Sequence, residues 1–136
     1  MNAILKCCFL ILLTSNLNSC SDQDLDDSVP AGEYSGTFEV TYPDGTIHDG
    51  PVTVTFNTGN TYSATGNEDY YPAGGSGSYS IADNIFTFKD ENFWTANFDW
   101  GLILSGEYTY TYKNKQLILT KGGEDSATYV YTLNLE

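Results

Sequence analysis

From Gly32 to the end of the chain, apolar and polar side chains alternate with a period of two. This alternation restricts the fold more than any other feature, because successive side chains of a β-strand point to opposite faces of a sheet. Clear examples are Val52-Thr53-Val54-Thr55-Phe56 and Tyr108-Thr109-Tyr110-Thr111-Tyr112. No window of useful length has the spacing of an amphipathic helix. The chain is therefore predicted to be all-β, with one face of each strand buried.

Short turn motifs divide this region into eight predicted strands. Pro43-Asp44-Gly45, Asp83-Asn84 and Lys113-Asn114-Lys115 are typical of tight reversals. The predicted strands cover residues 33–42, 51–57, 61–68, 77–82, 85–90, 101–112, 116–121 and 127–135. Short connections favour antiparallel neighbours, and closure of such a meander removes its exposed edges. We predict one domain over residues 32–136, an eight-stranded antiparallel up-and-down barrel, with a two-sheet β-sandwich as the alternative.

The N-terminal residues resemble the leader of a bacterial lipoprotein. Lys6 precedes a short apolar run, Cys7 to Leu13, which is too short to span a bilayer. Leu17-Asn18-Ser19 leads to Cys20, and this arrangement is similar to a lipobox with its acceptor cysteine. The resemblance implies a signal peptide over residues 1–19, acylation of Cys20 with palmitate and an acidic tether over residues 20–31. An ordinary signal peptide followed by a solvated linker is the alternative.

The same resemblance predicts where the protein resides. Ser21-Asp22-Gln23-Asp24 is similar to the acidic surface-export signal of lipoproteins in the Bacteroidota. The expected location is the cell outer membrane, to which acyl chains hold the protein. The sequence leaves open whether the domain faces the periplasm or the cell surface.

The composition after residue 19 argues against a nucleic-acid partner and against a disulfide framework. Four lysines, eighteen acidic residues and no arginine remain, which gives a net charge of −14. Nucleic-acid binding needs cationic side chains, so we expect no nucleic-acid partner. Cys20 is the single cysteine that remains, so no disulfide framework is expected.

Residue types that carry out catalysis or hold metal ions are scarce. His48 is the single histidine. The acidic pairs Glu68-Asp69, Asp90-Glu91 and Glu124-Asp125 fall at predicted strand ends, where adjacent carboxylates point to opposite faces rather than across a cleft. We predict that the protein is not an enzyme and has no metal ion or other cofactor. A small envelope enzyme or inhibitor is the least favoured alternative.

Aromatic residues concentrate between the fifth and sixth predicted strands. Phe93, Trp94, Phe98 and Trp100 fall within eight residues. Such side chains can line an apolar pocket at the mouth of a barrel. They can equally stack on sugar rings, with Asn92, Asn97 and Asp99 offering polar contacts. They can also fold over the end of the barrel as a hydrophobic plug, or form a protein interface. The sequence leaves these alternatives open.

A second resemblance concerns the barrel itself. The opening Gly32-Glu33-Tyr34-Ser35-Gly36-Thr37-Phe38 and the Gly-x-Tyr hairpins that begin at Gly77 and Gly106 resemble lipocalin-like lipoprotein domains of the Bacteroidota. The resemblance covers roughly residues 32–135 and implies a lipocalin-like barrel that holds a small hydrophobic or amphipathic ligand. Lipocalins proper open with Gly-x-Trp, whereas Tyr34 holds the aromatic position here.

This resemblance defines two alternative functions. In the first, a ligand contacts inward side chains and aromatic residues at the mouth, which are Tyr34, Phe38, Val54, Phe93, Trp94, Phe98, Trp100, Tyr108 and Tyr110. In the second, exposed aromatic residues recognise a glycan or a protein at the surface. Alternation alone does not determine which face of the tyrosine-rich strands lies inside.

Overall fold

The computed structural model describes residues 28–136. The predicted signal peptide, Cys20 and most of the predicted tether lie outside the described residues. No helix in the described part of the chain is long and apolar enough to cross a membrane.

The described residues form a closed barrel of eight strands. Each strand pairs antiparallel with its neighbours in sequence, and β8 pairs with β1 to close the barrel. This topology confirms the up-and-down barrel rather than the two-sheet sandwich. The strands are β1 Gly32–Thr41, β2 Ile47–Asn57, β3 Thr61–Ala64, β4 Gly75–Ala82, β5 Ile85–Asp90, β6 Gly106–Lys113, β7 Gln116–Lys121 and β8 Thr128–Leu135.

Several predicted strand boundaries were wrong. β2 begins at Ile47 rather than residue 51, because Ile47 to Gly50 continue the pairing with β1. β3 ends at Ala64 rather than residue 68, and β4 begins at Gly75 rather than residue 77. The largest error concerns residues 101–105, which were predicted as the start of the sixth strand. β6 begins only at Gly106; before it come a short 3-10 helix over Trp100–Leu102 and the buried residues Ile103 and Leu104.

Side chains that point inward fill the barrel. Aromatic rings from strands that are not paired meet across the interior: Phe56 of β2 lies 5.5 Å from Phe86 of β5, and Tyr108 of β6 lies 5.9 Å from Tyr131 of β8. Edge-to-face and tilted contacts at such centroid distances are favourable ring packing. The tyrosine-rich strands β6 and β8 thus turn their tyrosines toward the inside.

The two ends of the barrel differ in their connections. At one end, here called the short-turn end, the chain enters β1, and the tight β2–β3, β4–β5 and β6–β7 turns reverse direction. At the other, here called the long-loop end, residues 65–74 join β3 to β4 and residues 91–105 join β5 to β6. Long loops on a rigid scaffold are where binding residues concentrate.

The last residues of the predicted tether pack against the short-turn end. The Tyr34 hydroxyl donates a 2.8 Å hydrogen bond to the Pro30 carbonyl, and Val29 packs on the core. Ser28–Pro30, here called the strap, therefore belongs to the folded domain rather than to a solvated linker.

Candidate functional site at the long-loop end

The connection between β5 and β6 closes the long-loop end. Leu102, Ile103 and Leu104 are buried, and the Tyr62 hydroxyl donates a 2.5 Å hydrogen bond to the Leu104 carbonyl. The Ala73 N–H donates to the Leu102 carbonyl at 3.0 Å, which joins both long loops. A hydrophobic plug therefore exists; aliphatic residues form its buried part, and Phe98 of the predicted aromatic cluster packs against the core as well.

Asp99 fixes this connection to the barrel wall. Its Oδ2 accepts hydrogen bonds from the Tyr42 hydroxyl at 3.0 Å and from the Tyr129 hydroxyl at 2.7 Å. Its Oδ1 accepts from the Gly101 N–H at 2.8 Å, which caps the 3-10 helix. Residue 101 must be glycine in this arrangement, because a Cβ there would overlap the Tyr129 hydroxyl.

Lys121 lies beneath the same connection. Its Nζ donates to the Ser105 carbonyl at 3.0 Å and lies 4.8 Å from the centre of the Tyr108 ring and 5.0 Å from that of Tyr129. Cation–π contacts of this kind stabilise a partly desolvated ammonium group. Burial nevertheless lowers the pKa of Lys121, an effect that the Asp99 charge opposes.

Outside the plug, three aromatic side chains of the long loops contact one another. Tyr70 stacks on Phe98 at a centroid distance of 4.7 Å and an interplanar angle of 11°, and Phe98 meets the edge of Trp94 at 5.8 Å. We name these three residues, together with Phe93 and Trp100, the aromatic ridge. Both long loops contribute to it.

Asp90 holds part of the ridge in place. The Trp94 Nε1–H donates a 2.6 Å hydrogen bond to Asp90 Oδ2, and the Asn92 amide donates to Asp90 Oδ1 at 2.6 Å. The backbone N–H of Ser76 donates to Asp90 Oδ1 at 2.9 Å and so links this carboxylate to β4. The orientation of Trp94 is therefore fixed before any ligand binds.

Two aromatic side chains of the ridge are largely exposed. Phe93 is 92% exposed and Trp100 is 60% exposed, although Trp100 also donates a long 3.5 Å hydrogen bond to the Ala96 carbonyl. Exposed aromatic residues of this size are uncommon unless they serve a binding surface.

The other predicted ligand residues lie elsewhere. Tyr34, Phe38, Val54 and Tyr108 are completely buried in the core, while Tyr110 is half-buried near the short-turn end and packs on Phe86 at 5.1 Å. The structure therefore does not bring the predicted set together as one site.

The polar contacts predicted for a sugar site also differ. Both oxygens of Asp99 are occupied by the contacts that hold the loop, and Asn92 is bonded to Asp90 and Ser76. Asn97 is exposed beside the ridge. Asn92 is also exposed, but its side chain is engaged in these bonds within the protein.

His48 does not form a catalytic arrangement. Its ring stacks on Tyr71 at 4.3 Å with an interplanar angle of 6°, and Tyr42 approaches it edge-on at 6.1 Å. Within residues 28–136, no three His, Cys, Asp or Glu side chains gather as a metal site would require.

Sequence analysis missed the residues that organise this end. Tyr70 and the Tyr42–Asp99–Tyr129 cluster act through contacts between distant parts of the chain, and Tyr42 and Asp99 are 57 positions apart. Asp90 likewise links Trp94 to Ser76 of a different strand. No local pattern marks such contacts.

No protein-family model, curated protein or solved structure matches this chain.

Proposed function

We propose that this chain is a membrane-anchored envelope lipoprotein, without enzymatic activity, that recognises neutral carbohydrate through the aromatic ridge. The observation that carries the proposal is the exposure of Phe93 and Trp100 in the same connection as Phe98, which stacks on Tyr70. Aromatic faces bury large areas at low entropic cost when their orientation is already fixed. Sugar rings present apolar C–H faces that match such surfaces.

The packed interior favours this site over carriage of a ligand inside the barrel. Phe56 and Phe86 meet across the interior, and Tyr34 lies 6.5 Å from Tyr112 on the opposite wall. A molecule placed in the middle of the barrel would have to displace these rings. Displacement of closely packed core side chains is unfavourable.

Charge selects the kind of carbohydrate. Glu68, Asp69 and Glu91 are charged residues in the two loops that form the ridge. Together with the net charge of −14 expected after residue 19, they repel sulfated or otherwise acidic glycans. Neutral oligosaccharides avoid this repulsion.

The position of the strap supports the anchored arrangement. Ser28 lies eight positions after Cys20, and a fully extended chain of that length spans at most about 29 Å. An acylated Cys20 would therefore hold the short-turn end near the membrane. The aromatic ridge would then face away from the membrane, toward an external glycan.

Binding of neutral and acidic oligosaccharides tests the recognition site. Isothermal titration should show saturable binding of a neutral oligosaccharide, which Trp100→Ala and Phe93→Ala each weaken by about tenfold or more. Ile47→Ala is the matched control, because Ile47 is 58% exposed but lies outside the ridge. Tighter binding of acidic oligosaccharides, or equal weakening by Ile47→Ala, would contradict the proposal.

A separate experiment tests the anchor. The full chain expressed in a Gram-negative host should fractionate with membranes, and Cys20→Ser should release the protein into the soluble fraction. Intact mass spectrometry should show an acyl modification on the wild-type chain alone. Membrane association that survives the substitution would exclude anchoring through Cys20.

A further inference from the structure

A separate concave surface lies at the short-turn end. It is a groove of about 260 Å³ lined by Ser28, Ile81, Ala82, Asp83, Asn84 and Tyr110. It lies between the strap and the β4–β5 hairpin, at the end opposite the aromatic ridge.

The walls of this groove are held in place by the fold. On one side, the bond from Tyr34 to Pro30 and the packing of Val29 fix the strap. On the other side, Asp83 and Asn84 form a two-residue turn with φ values of 51° and 60°. Such turns match the right-handed twist of the flanking strands. The groove is thus largely formed before a ligand enters.

The lining combines an apolar floor with a polar rim. Ile81, Ala82 and the Tyr110 ring supply the apolar surface, and Ile81 is 38% exposed there. Ser28, Asp83 and Asn84 supply the polar groups, of which Asp83 alone is charged. An apolar floor beside one carboxylate matches a molecule with an aliphatic body and a cationic head.

We propose that this groove binds a small amphipathic amine, with its aliphatic chain on Ile81 and Ala82 and its ammonium group beside Asp83. Since one water molecule occupies about 30 Å³ of liquid, the groove accommodates on the order of nine non-hydrogen atoms. Octylammonium, with about nine such atoms, is a probe of that size. This proposal is independent of carbohydrate binding at the aromatic ridge.

The test compares three probes with the same chain: octylammonium, octanol and octanoate, each below its aggregation concentration. Residues 21–136, which contain the whole closed barrel and its core, are titrated with each probe by NMR. Octylammonium should bind at one saturable site, octanol less tightly, and octanoate least.

Variants identify the site and its charge. Asp83→Asn should weaken octylammonium about two- to five-fold, the range for exposed ion pairs, and leave octanol unchanged. Asparagine tolerates the left-handed backbone at residue 83, so this variant should fold. Ile81→Ser should weaken all three probes by about tenfold through loss of apolar contact. Ala82→Trp, which fills the groove from an exposed position, provides a second way to block it.

Two control variants distinguish binding in the groove from an effect of net charge and from binding at the aromatic ridge. Asp125→Asn removes the same charge at the long-loop end, and Trp100→Ala removes part of the ridge; neither should change octylammonium affinity. If Asp83→Asn and Asp125→Asn weakened octylammonium binding equally, the effect would be one of net charge, and the proposal would be overturned. The proposal would also be overturned if octylammonium showed no saturable binding, or if its affinity changed in neither Ile81→Ser nor Ala82→Trp. Loss of octylammonium binding in Trp100→Ala would overturn it too.

Discussion

Tyr129 donates a 2.7 Å hydrogen bond to Asp99, which joins the last strand to a loop that lies 30 residues earlier in the chain. The Tyr42 hydroxyl donates to the same oxygen from the end of β1. A single carboxylate thus ties the connection between β5 and β6 to the two strands that close the barrel. The plug and the aromatic ridge both depend on the position of this connection.

Replacement of Asp99 by alanine should therefore destabilise the fold. The change leaves two tyrosine hydroxyls and the Gly101 N–H without their acceptor. We expect the free energy of unfolding to fall by about 2–4 kcal/mol, since hydrogen bonds to a charged group contribute about 1.5–3 kcal/mol each but are not additive. Urea denaturation measures it. Asp125→Ala, at an exposed position, is the control, and an equal loss there would contradict the anchoring role.

The buried tyrosines of the core should respond differently to loss of their hydroxyls. The Tyr108 and Tyr131 hydroxyls are buried and have no hydrogen-bond partner among the described residues. The two tyrosines perturb each other's pKa, but their hydroxyls do not meet in the geometry of a hydrogen bond. Tyr131→Phe should leave stability unchanged or raise it by about 1 kcal/mol, because it removes a buried unsatisfied group. Tyr62→Phe should lower stability by about 1–2 kcal/mol, because it removes the bond to the Leu104 carbonyl. Equal destabilisation in thermal melts of the two variants would refute this distinction.

Tryptophan fluorescence should separate the two sides of the aromatic ridge. Trp94 is half-buried and bonded to Asp90, whereas Trp100 is 60% exposed. Trp94→Phe, which leaves Trp100 as the emitter, should give red-shifted emission that acrylamide quenches strongly. Trp100→Phe should give the opposite result. Similar quenching of both variants would show that the two indoles share one environment.

Stability should fall at alkaline pH. Burial raises the pKa of seven tyrosines above the ordinary value of 10.0, namely Tyr34, Tyr42, Tyr62, Tyr79, Tyr108, Tyr129 and Tyr131. Their contribution to stability is complete below pH 10.0 and is lost as the pH rises toward the folded values, since the unfolded chain releases these protons first. Each such proton changes the free energy of unfolding by about 1.4 kcal/mol per pH unit.

Lys121 acts in the opposite direction, because burial lowers its pKa and the unfolded chain binds its proton more tightly. It is one group against seven tyrosines, so the net slope of stability against pH should be negative. Urea denaturation between about pH 8 and about pH 11.5 measures this slope, and Tyr42→Phe should reduce it. A flat profile, or a slope unchanged in Tyr42→Phe, would contradict the assignment.

The barrel was predictable because its strands and tight turns are encoded locally. Alternation separates the two faces of each strand, and Asp83-Asn84 and Asn114-Lys115 adopt the positive φ values that two-residue turns require. Which face of β6 carries the inward tyrosines became clear only from the strand pairing, because Tyr108 lies opposite the buried Phe86.

The long-loop end was not predictable in the same way. Leu102 and Leu104 continue the alternation of β6 in sequence, so residues 101–112 were predicted as one strand. The capping of Trp100–Leu102 by Asp99 and the bonds to residues 73 and 74 interrupt that strand. Such tertiary contacts override local strand propensity.

The strap and the aromatic ridge lie at opposite ends of strands that run the length of the barrel. A pull between a membrane anchor and a ligand held at the ridge would therefore act along the strands, perpendicular to the hydrogen bonds between them. All ten residues of β1 pair with β2, and eight of them also pair with β8. Because such a shearing load acts on many bonds at once rather than one after another, we expect the barrel to resist mechanical unfolding under a pull in this direction.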